Sequence, residues 1–327
     1  MRKSSTTLFS SLLLTLFAQT PVFAQTVAVQ YPTKTIRLVV PFPAGSATDT
    51  IARILGNGLS VSLGQPVIVE NKAGADGALA ASEVVKAAPD GYTLFVATNS
   101  PMAGVPALRK QPPYDSVRDF TPISMIGRYT FFLYANAQTP FNTIQELITY
   151  AKANPGKLAY ATGNTTGIVA TAQFASLAGN LNMLHVPYKG EPAGVIDLVS
   201  NRVQLMISTP FTAGVHAAEG KLKALAITLP SRSPLAPSIP TFAEAGVKGF
   251  SIESWAALYS PAGLPPAVLE RLNTAVNGVL NRPDIKEQLA QKQFLPQGST
   301  AAALSTFTKE QVATYTKILR DAGVQPD

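Results

Sequence analysis

Residues 36–53 read IRLVVPFPAGSATDTIAR and predict a strand, a tight turn and a helix in immediate succession. The β-branched run ends in two prolines, the chain turns on Gly45, and a helix is expected to begin at Thr48–Asp49. Backbone N–H groups at the start of such a helix lack partners, and together with the helix dipole they form a site for an anion such as a carboxylate. An ordinary strand-to-helix turn has the same composition, so the rest of the chain must decide between the two interpretations.

The N-terminal segment has the pattern of an export signal. Two basic residues precede an apolar stretch at residues 8–17, and the sequence VFA at 22–24 resembles a cleavage site. We therefore predict a signal peptide over residues 1–24 and localisation in the periplasm. The apolar stretch is too short to span a bilayer, and the chain has no cysteine to carry a lipid anchor or form a disulfide. These features predict a soluble exported protein.

Length and charge limit the possible partners. A chain of 327 residues is long enough for two compact domains after removal of the signal. Charged residues make up 14% of the chain, and its formal net charge of +7 is scattered rather than clustered, which argues against a nucleic-acid partner. The mild positive charge favours anionic small ligands or serves only solubility.

Strand and helix patterns alternate along most of the chain. Strand patterns lie at residues 36–40, 67–69, 93–97, 157–161, 183–186, 203–207 and 222–227. Helical patterns lie at 49–63, 77–86, 143–153, 168–178 and 190–200, and then at 265–280, 284–292 and 300–322 without a further strand. This alternation predicts an α/β fold with parallel sheets covered by helices on both faces.

Two longer extended runs, 123–135 and 250–260, interrupt the alternation. They predict a chain that crosses twice between two domains, one made of residues 31–125 plus 256–327 and the other of residues 126–255. Proline-rich stretches at 101–113 and 231–240 are interpreted as ordered surface loops.

The sequence offers little for catalysis. Its two histidines, His185 and His216, are not at metal-ligand spacing with other His, Asp or Glu residues, and His185 is interpreted as a hydrogen-bonded structural residue. The glycines of residues 163–167 lack the spacing of a phosphate-binding loop. Asp49 alone is a candidate acid or base, so we predict no enzyme activity, no cofactor and no metal.

Small polar residues follow several predicted strands, at residues 98–100, 162–167 and 208–209. Open α/β sheets bind ligands at the carboxyl ends of their strands. Ser, Thr and Asn are also favoured as helix caps, which explains any single loop. Together with the turn before Asp49, however, these loops predict one shared binding cleft.

Six motifs in order make the chain similar to a known family. They are YPTKTIRLVVPFPAGSATDTIAR at 31–53, LGQPVIVENKAGADG at 63–77, AAPDGYTL at 87–94, HVPYKG at 185–190, VQLMIS at 203–208 and IPTFAEAGV at 239–247. From about Tyr31 to Asp327 the chain resembles Bug-type receptors, the extracytoplasmic solute-binding proteins of tripartite tricarboxylate transporters.

The resemblance implies a type II periplasmic-binding-protein fold, in which two α/β domains joined by two crossing strands close on a ligand like a Venus flytrap. It implies that the loop at 43–49 holds a ligand carboxylate through backbone N–H groups and water, and that the other polar loops complete the pocket. The ligand-binding residues predicted in this way are Phe42, Ala44, Gly45, Ser46, Asp49, Thr98, Asn99, Ser100, Thr162, Gly163, Asn164, Thr165, Thr166, Tyr188, Ser208 and Thr209.

The chain departs from the family pattern at several positions, including a loop at 162–167 that is one residue short and Val169 near a position often held by His. Ser46 replaces a second glycine, Ser208 replaces a common Asp, and Glu191 follows HVPYKG where small residues are usual. The loss of one carboxylate favours anionic ligands, whereas Glu191 would oppose dianions if it reached the cleft. We interpret Glu191 as a solvated residue of the first helical turn.

The sequence thus predicts a monomeric receptor that captures a small organic acid and delivers it to the membrane subunits of a tripartite tricarboxylate-type transporter. A receptor that feeds a signalling system is the alternative. An enzyme on the same fold would need a catalytic acid–base pair in the cleft.

Overall fold

The computed structural model describes residues 30–324, together with Met1 and Pro326. The predicted signal peptide and its cleavage position lie outside this described range. The chain from Tyr31 to Asp327 forms one compact unit. Among the described helices, none has both the length and the apolar character needed to cross a membrane.

The predicted strands and helices are present with shifts of a few residues at their ends, and the helix at Pro210–Ala218 is one that the sequence patterns do not predict. The strands are β1 (Ile36–Val40), β2 (Val67–Asn71), β3 (Thr93–Thr98), β4 (Phe120–Tyr129), β5 (Phe132–Asn136), β6 (Ala159–Thr162), β7 (Leu184–Pro187), β8 (Leu205–Ser208), β9 (Leu222–Ile227), β10 (Ser254–Pro261) and β11 (Phe294–Pro296). The helices are α1 (Ala47–Leu63), α2 (Ala78–Val85), α3 (Val105–Leu108), α4 (Ile144–Ala153), α5 (Thr165–Leu177), α6 (Glu191–Val199), α7 (Pro210–Ala218), α8 (Pro266–Asn281), α9 (Pro283–Ala290) and α10 (Ala301–Asp321). Short helical turns occupy Ala75–Gly77 and Ser100–Gly104.

The strands form two mixed sheets. The first has the order β11-β4-β10-β3-β1-β2, with β1, β2 and β3 parallel and β10, β4 and β11 antiparallel to their neighbours. The second has the order β7-β6-β8-β5-β9, with β6, β7 and β8 parallel. We call the first sheet with α1–α3 and α8–α10 the first half, and the second sheet with α4–α7 the second half. The residue boundaries of the two domains remain predictions.

The predicted strand–turn–helix unit at the start of the fold is present. All of β1 is buried except the half-buried Arg37, as a strand between two helix layers requires. Helix α1 presents Ile51, Leu55 and Leu59 to the core at helical spacing, each about 1% exposed. It begins before the predicted Thr48–Asp49 start, because Ser46 is its N-cap.

The two connections between the sheets differ from each other. The first runs directly from β4 into β5, with a break at residues 130–131, and so agrees with the long extended run at 123–135. The second predicted run, 250–260, enters a strand only at Ser254. Gly249 and Ser251, just before it, form hydrogen bonds with the side chain of Gln173.

Two further sequence interpretations were wrong. The segment after α9 contains β11, which pairs with β4, because the register of Phe294 against Tyr129 gives this short apolar segment a partner that no local pattern reveals. Residues 101–108 are not a surface loop. They are largely helical, and Met102 and Ala103 are fully buried, with α10 packed against this segment.

Candidate functional site

The turn after β1 is fixed by Asp49. Its carboxylate accepts the N–H of Gly45 at 2.9 Å, the amide of Asn71 at 3.0 Å and the guanidinium of Arg53 at 3.1 Å. Gly45 has a φ of +79°, a conformation that glycine adopts without strain, and Asn71 also donates to the carbonyl of Phe42 at 3.0 Å. Burial alone would raise the pKa of Asp49, but the hydrogen bonds from Arg53, Gly45 and Asn71 outweigh it and hold the pKa below its ordinary value.

The start of α1 carries free backbone donors. The Ser46 hydroxyl accepts the N–H of Asp49 at 3.2 Å and so satisfies one of the orphan donors of the helix. Within the described chain, no hydrogen bond uses the N–H groups of Ala44, Ala47 or Thr48. The anion site predicted here is therefore geometrically available, although the N–H of Gly45 is already committed to Asp49.

The loop after β3 meets the second half directly. Asn99 donates to the Thr166 hydroxyl at 2.6 Å and also contacts the Tyr315 hydroxyl, while Ser100 and Thr166 lie 3.2 Å apart, oxygen to oxygen. The Thr98 hydroxyl is buried without a partner among the described residues. Asn99, Ser100 and Thr166, all predicted from sequence, are thus brought together across the two sheets.

The loop after β6 packs closely on two sides. A Cβ on Gly163 would lie 2.4 Å from the backbone nitrogen of Glu191, so only glycine allows this approach. Asn164 caps α5 and donates its amide to Glu191 at 3.0 Å. Thr165, at the first helical position, faces Gly104 of the first half, and its hydroxyl is fully buried with no partner in the described structure.

The loop after β8 surrounds the carboxylate of Glu191. Its Oε2 accepts the hydroxyls of Ser208, Thr209 and Thr212, each at 2.8 Å, and the N–H of Thr209 at 3.1 Å. The interpretation of Glu191 as a solvated side chain was therefore wrong. The donors come from the start of α7 and from Asn164, segments that the local sequence around Glu191 does not reveal.

Two predicted residues direct their side chains to the edge of the second sheet. The Thr162 hydroxyl lies 2.7 Å from Nε2 of His185, so this histidine is hydrogen-bonded as expected. Burial lowers the pKa of His185. The Tyr188 hydroxyl donates at 2.7 Å to Asp197, which also pairs with Arg202. The structure does not bring these two hydroxyls to the other predicted side chains.

A small cavity of about 10 Å³ separates the two halves near the start of α1. Its walls include Ala47 and Lys292 from the first half, Thr209 from the second, and Thr130 at the junction of β4 and β5. The Thr130 hydroxyl and the Gln293 side-chain oxygen, which also lines it, are buried without partners in the described chain. Sequence reasoning missed Thr130, Lys292 and Gln293, since the last two lie in a turn before an unpredicted strand.

The site offers hydrogen-bond donors from backbone, hydroxyl and amide groups rather than a reactive pair. Among residues 30–324, no group of three or more His, Asp or Glu side chains has the arrangement of a metal site. Two mixed sheets whose polar loops meet beside a cavity have the architecture of a periplasmic-binding-protein fold, which binds ligands between its two halves.

Comparison with known proteins identifies the family. The family described as "Tripartite tricarboxylate transporter family receptor" matches residues 51–324, and the chain belongs to it. This chain is 34% identical over 310 residues to the protein BugT of Bordetella pertussis (strain Tohama I), and the alignment covers 93% of each chain. The predicted resemblance to Bug-type receptors is confirmed, and so is the prediction that the chain is not an enzyme, because this family consists of receptors.

Solved structures confirm the fold. The structure of Rpa4515 from R. palustris with adipate superposes with a TM-score of 0.85 at 32% identity, over 91% of this chain and all of the other. The structure of MatC (Rpa3494) from Rhodopseudomonas palustris with bound malate gives a TM-score of 0.80 at 30% identity, over 88% of this chain and all of the other. Both of these relatives hold small carboxylates.

Proposed function

We propose that the chain is a periplasmic receptor that captures a small organic acid between its two halves and delivers it to a tripartite tricarboxylate-type membrane transporter. One observation carries the proposal: Ala47, whose N–H group is unpaired among the described residues, lines a cavity at the start of α1 whose other walls come from both halves. A carboxylate placed there receives charge-assisted hydrogen bonds and the favourable end of the helix dipole.

Further features of the cavity support a polar ligand. The basic residue Lys292 lines it, and the buried oxygens of Thr130 and Gln293 need partners that the described chain does not supply. The cavity of about 10 Å³ has room for about one water molecule, so an organic acid enters only if the two halves first separate. The direct β4–β5 connection and the irregular second connection are suitable hinges for such a motion.

Export and transport complete the proposal. The leader pattern at residues 1–24 supports release into the periplasm. The structural relative BugD is described as a periplasmic binding protein, which agrees with this localisation. The family description supports a transporter partner, and the receptor is proposed to act as a monomer. No described feature favours a signalling role over transport.

Replacing Ala47 with proline tests the carboxylate site. Proline is well tolerated at the first helical position, and Ser46 already has the extended conformation (φ −70°, ψ 163°) that a residue before proline prefers. A hydrogen bond to a charged acceptor contributes about 1.5–3 kcal/mol, so losing this N–H should weaken binding about 10- to 150-fold.

The matched control is Ala301→Pro, which makes the same change at the first position of α10. There the N-cap Thr300 has nearly the same conformation (φ −72°, ψ 157°). Calorimetry should show weaker carboxylate binding only for Ala47→Pro. If the wild type binds the uncharged amide analogue as tightly as the acid, or if both proline variants bind like the wild type, the carboxylate is not held at α1.

A further inference from the structure

Glu191 occupies the donor-rich side of the cleft in the second half. Its Oε2 accepts four hydrogen bonds, from Ser208, Thr212 and twice from Thr209, and its Oε1 accepts one from Asn164. Three hydroxyls, one backbone N–H and one amide thus hold an anion that belongs to the protein itself. A second ligand carboxylate would require these same donors.

The charge of Glu191 is not neutralised by the protein. All five donors are uncharged groups, and Glu191 takes part in no ion pair among the described residues. Oε1 has a single protein donor, and a carboxylate oxygen has room for a second. The side chain is therefore ready to accept a hydrogen bond from a cationic group.

The hydrogen-bond partners of Glu191 lie close to the first half. Its partner Asn164 precedes Thr165 and Thr166, which meet the first half, and its partner Thr209 lines the cavity beside Ala47. Burial raises the pKa of the Tyr129 hydroxyl, its hydrogen bond with Thr48 lowers it, and the negative charge of Glu191 raises it. Tyr129 belongs to β4 of the first half and lines the cavity.

We propose that Glu191 sets the charge of the ligand: the cleft takes a carboxylate that carries an ammonium group at its other end, and rejects dicarboxylates. The inference rests on the proposed function, in which the start of α1 holds the carboxylate. Adipate and malate, found in two relatives, carry two carboxylates each. In this chain the second carboxylate of such a ligand would meet Glu191. Repulsion between the two negative charges would select against dicarboxylates.

Ligand pairs of equal length test the proposal. Succinate, glutarate and adipate are compared by calorimetry with 3-aminopropanoate, 4-aminobutanoate and 5-aminopentanoate, which have the same number of methylene groups and an ammonium in place of one carboxylate. We expect the wild type to bind at least one amino acid tenfold or more tightly than its matched dicarboxylate. Glu191→Gln should reduce that preference at least tenfold, because it removes the charge and keeps an oxygen acceptor.

The control Glu270→Gln removes the same charge from the exposed surface of α8 and should leave the preference unchanged. Thermal melting checks that both variants fold. If Glu191→Gln does not fold, the comparison of ligands on the wild type still tests the inference. Tighter binding of dicarboxylates by the wild type would overturn the inference and leave the proposed function intact. If the wild type binds none of the six acids nor any other carboxylate in a thermal-shift screen, both fail.

Discussion

Closure of the cleft depends on a close approach between Gly104 and Thr165. A Cβ on Gly104 would lie 2.3 Å from Cγ2 of Thr165 and 2.9 Å from its Cβ. Ordinary contacts between carbon atoms are about 3.5–4.0 Å, so Gly104→Ala requires a displacement of more than about 1 Å. Since Gly104 lies in the first half and Thr165 begins α5 in the second, the displacement is expected to push the two halves apart.

The cost follows from packing. Overfilling a well-packed contact costs about 1–3 kcal/mol, which lowers the population of the closed form, and with it the affinity, about 5- to 150-fold. Isothermal titration calorimetry measures the affinity for whichever carboxylate the wild type binds best. Small-angle scattering at saturating ligand measures whether Gly104→Ala stays more extended than the wild type.

Two variants isolate the steric cause. Gly278→Ala makes the same change on the exposed face of α8, where a Cβ has open space, and should bind like the wild type. Adding Thr165→Ser to Gly104→Ala removes the Cγ2 atom and keeps the hydroxyl, so it should restore part of the lost affinity. Unchanged binding by Gly104→Ala, or a double variant no better than the single, would refute this account of closure.

Two further predictions concern acid stability and export. Because the folded pKa of Asp49 is lowered, its interactions stabilise the protein above the unfolded pKa of the carboxyl group and are lost as pH falls through the folded value. Urea titrations from about pH 5 to about pH 3 should therefore show the free energy of unfolding falling less steeply for Asp49→Asn than for the wild type, and equal slopes would contradict the role of Asp49. Mass spectrometry of protein from a periplasmic extract should give Gln25 as the first residue, whereas full-length protein in the membrane fraction would rule out cleavage after Ala24.

Much of the fold can be predicted from local patterns. The run 36–53 contains β1, its turn and the start of α1, because strand propensity, a positive-φ glycine and an N-cap all act within a few residues. The sequence also indicates that Asn99 and Thr166 belong to one cleft, since each follows the carboxyl end of a strand, where open α/β sheets bind ligands.

What the sequence misses depends on contacts distant along the chain. The short β11 forms only because β4 lies beside it, and the helical segment after β3 is buried only because α10 covers it. Glu191 shows the same limitation at the site. Its neighbours suggest an exposed helical turn, while its donors come from Asn164 and from residues 208–212.

The hydroxyl of Thr166 is the shared partner of both hydrogen bonds that link the loop after β3 to α5. The contacts of Asn99 with Ser254 and Tyr315 lie within the first half. Separation of the halves therefore breaks only the bonds to Thr166. At about 0.5–1.5 kcal/mol for each bond, the two bonds together favour the closed form by about 5- to 150-fold, a bias that differential binding of a ligand can still exceed. Stronger bonds between the halves would close the ligand-free protein as completely as the ligand-bound protein. A membrane partner could then no longer distinguish the two states by their conformation.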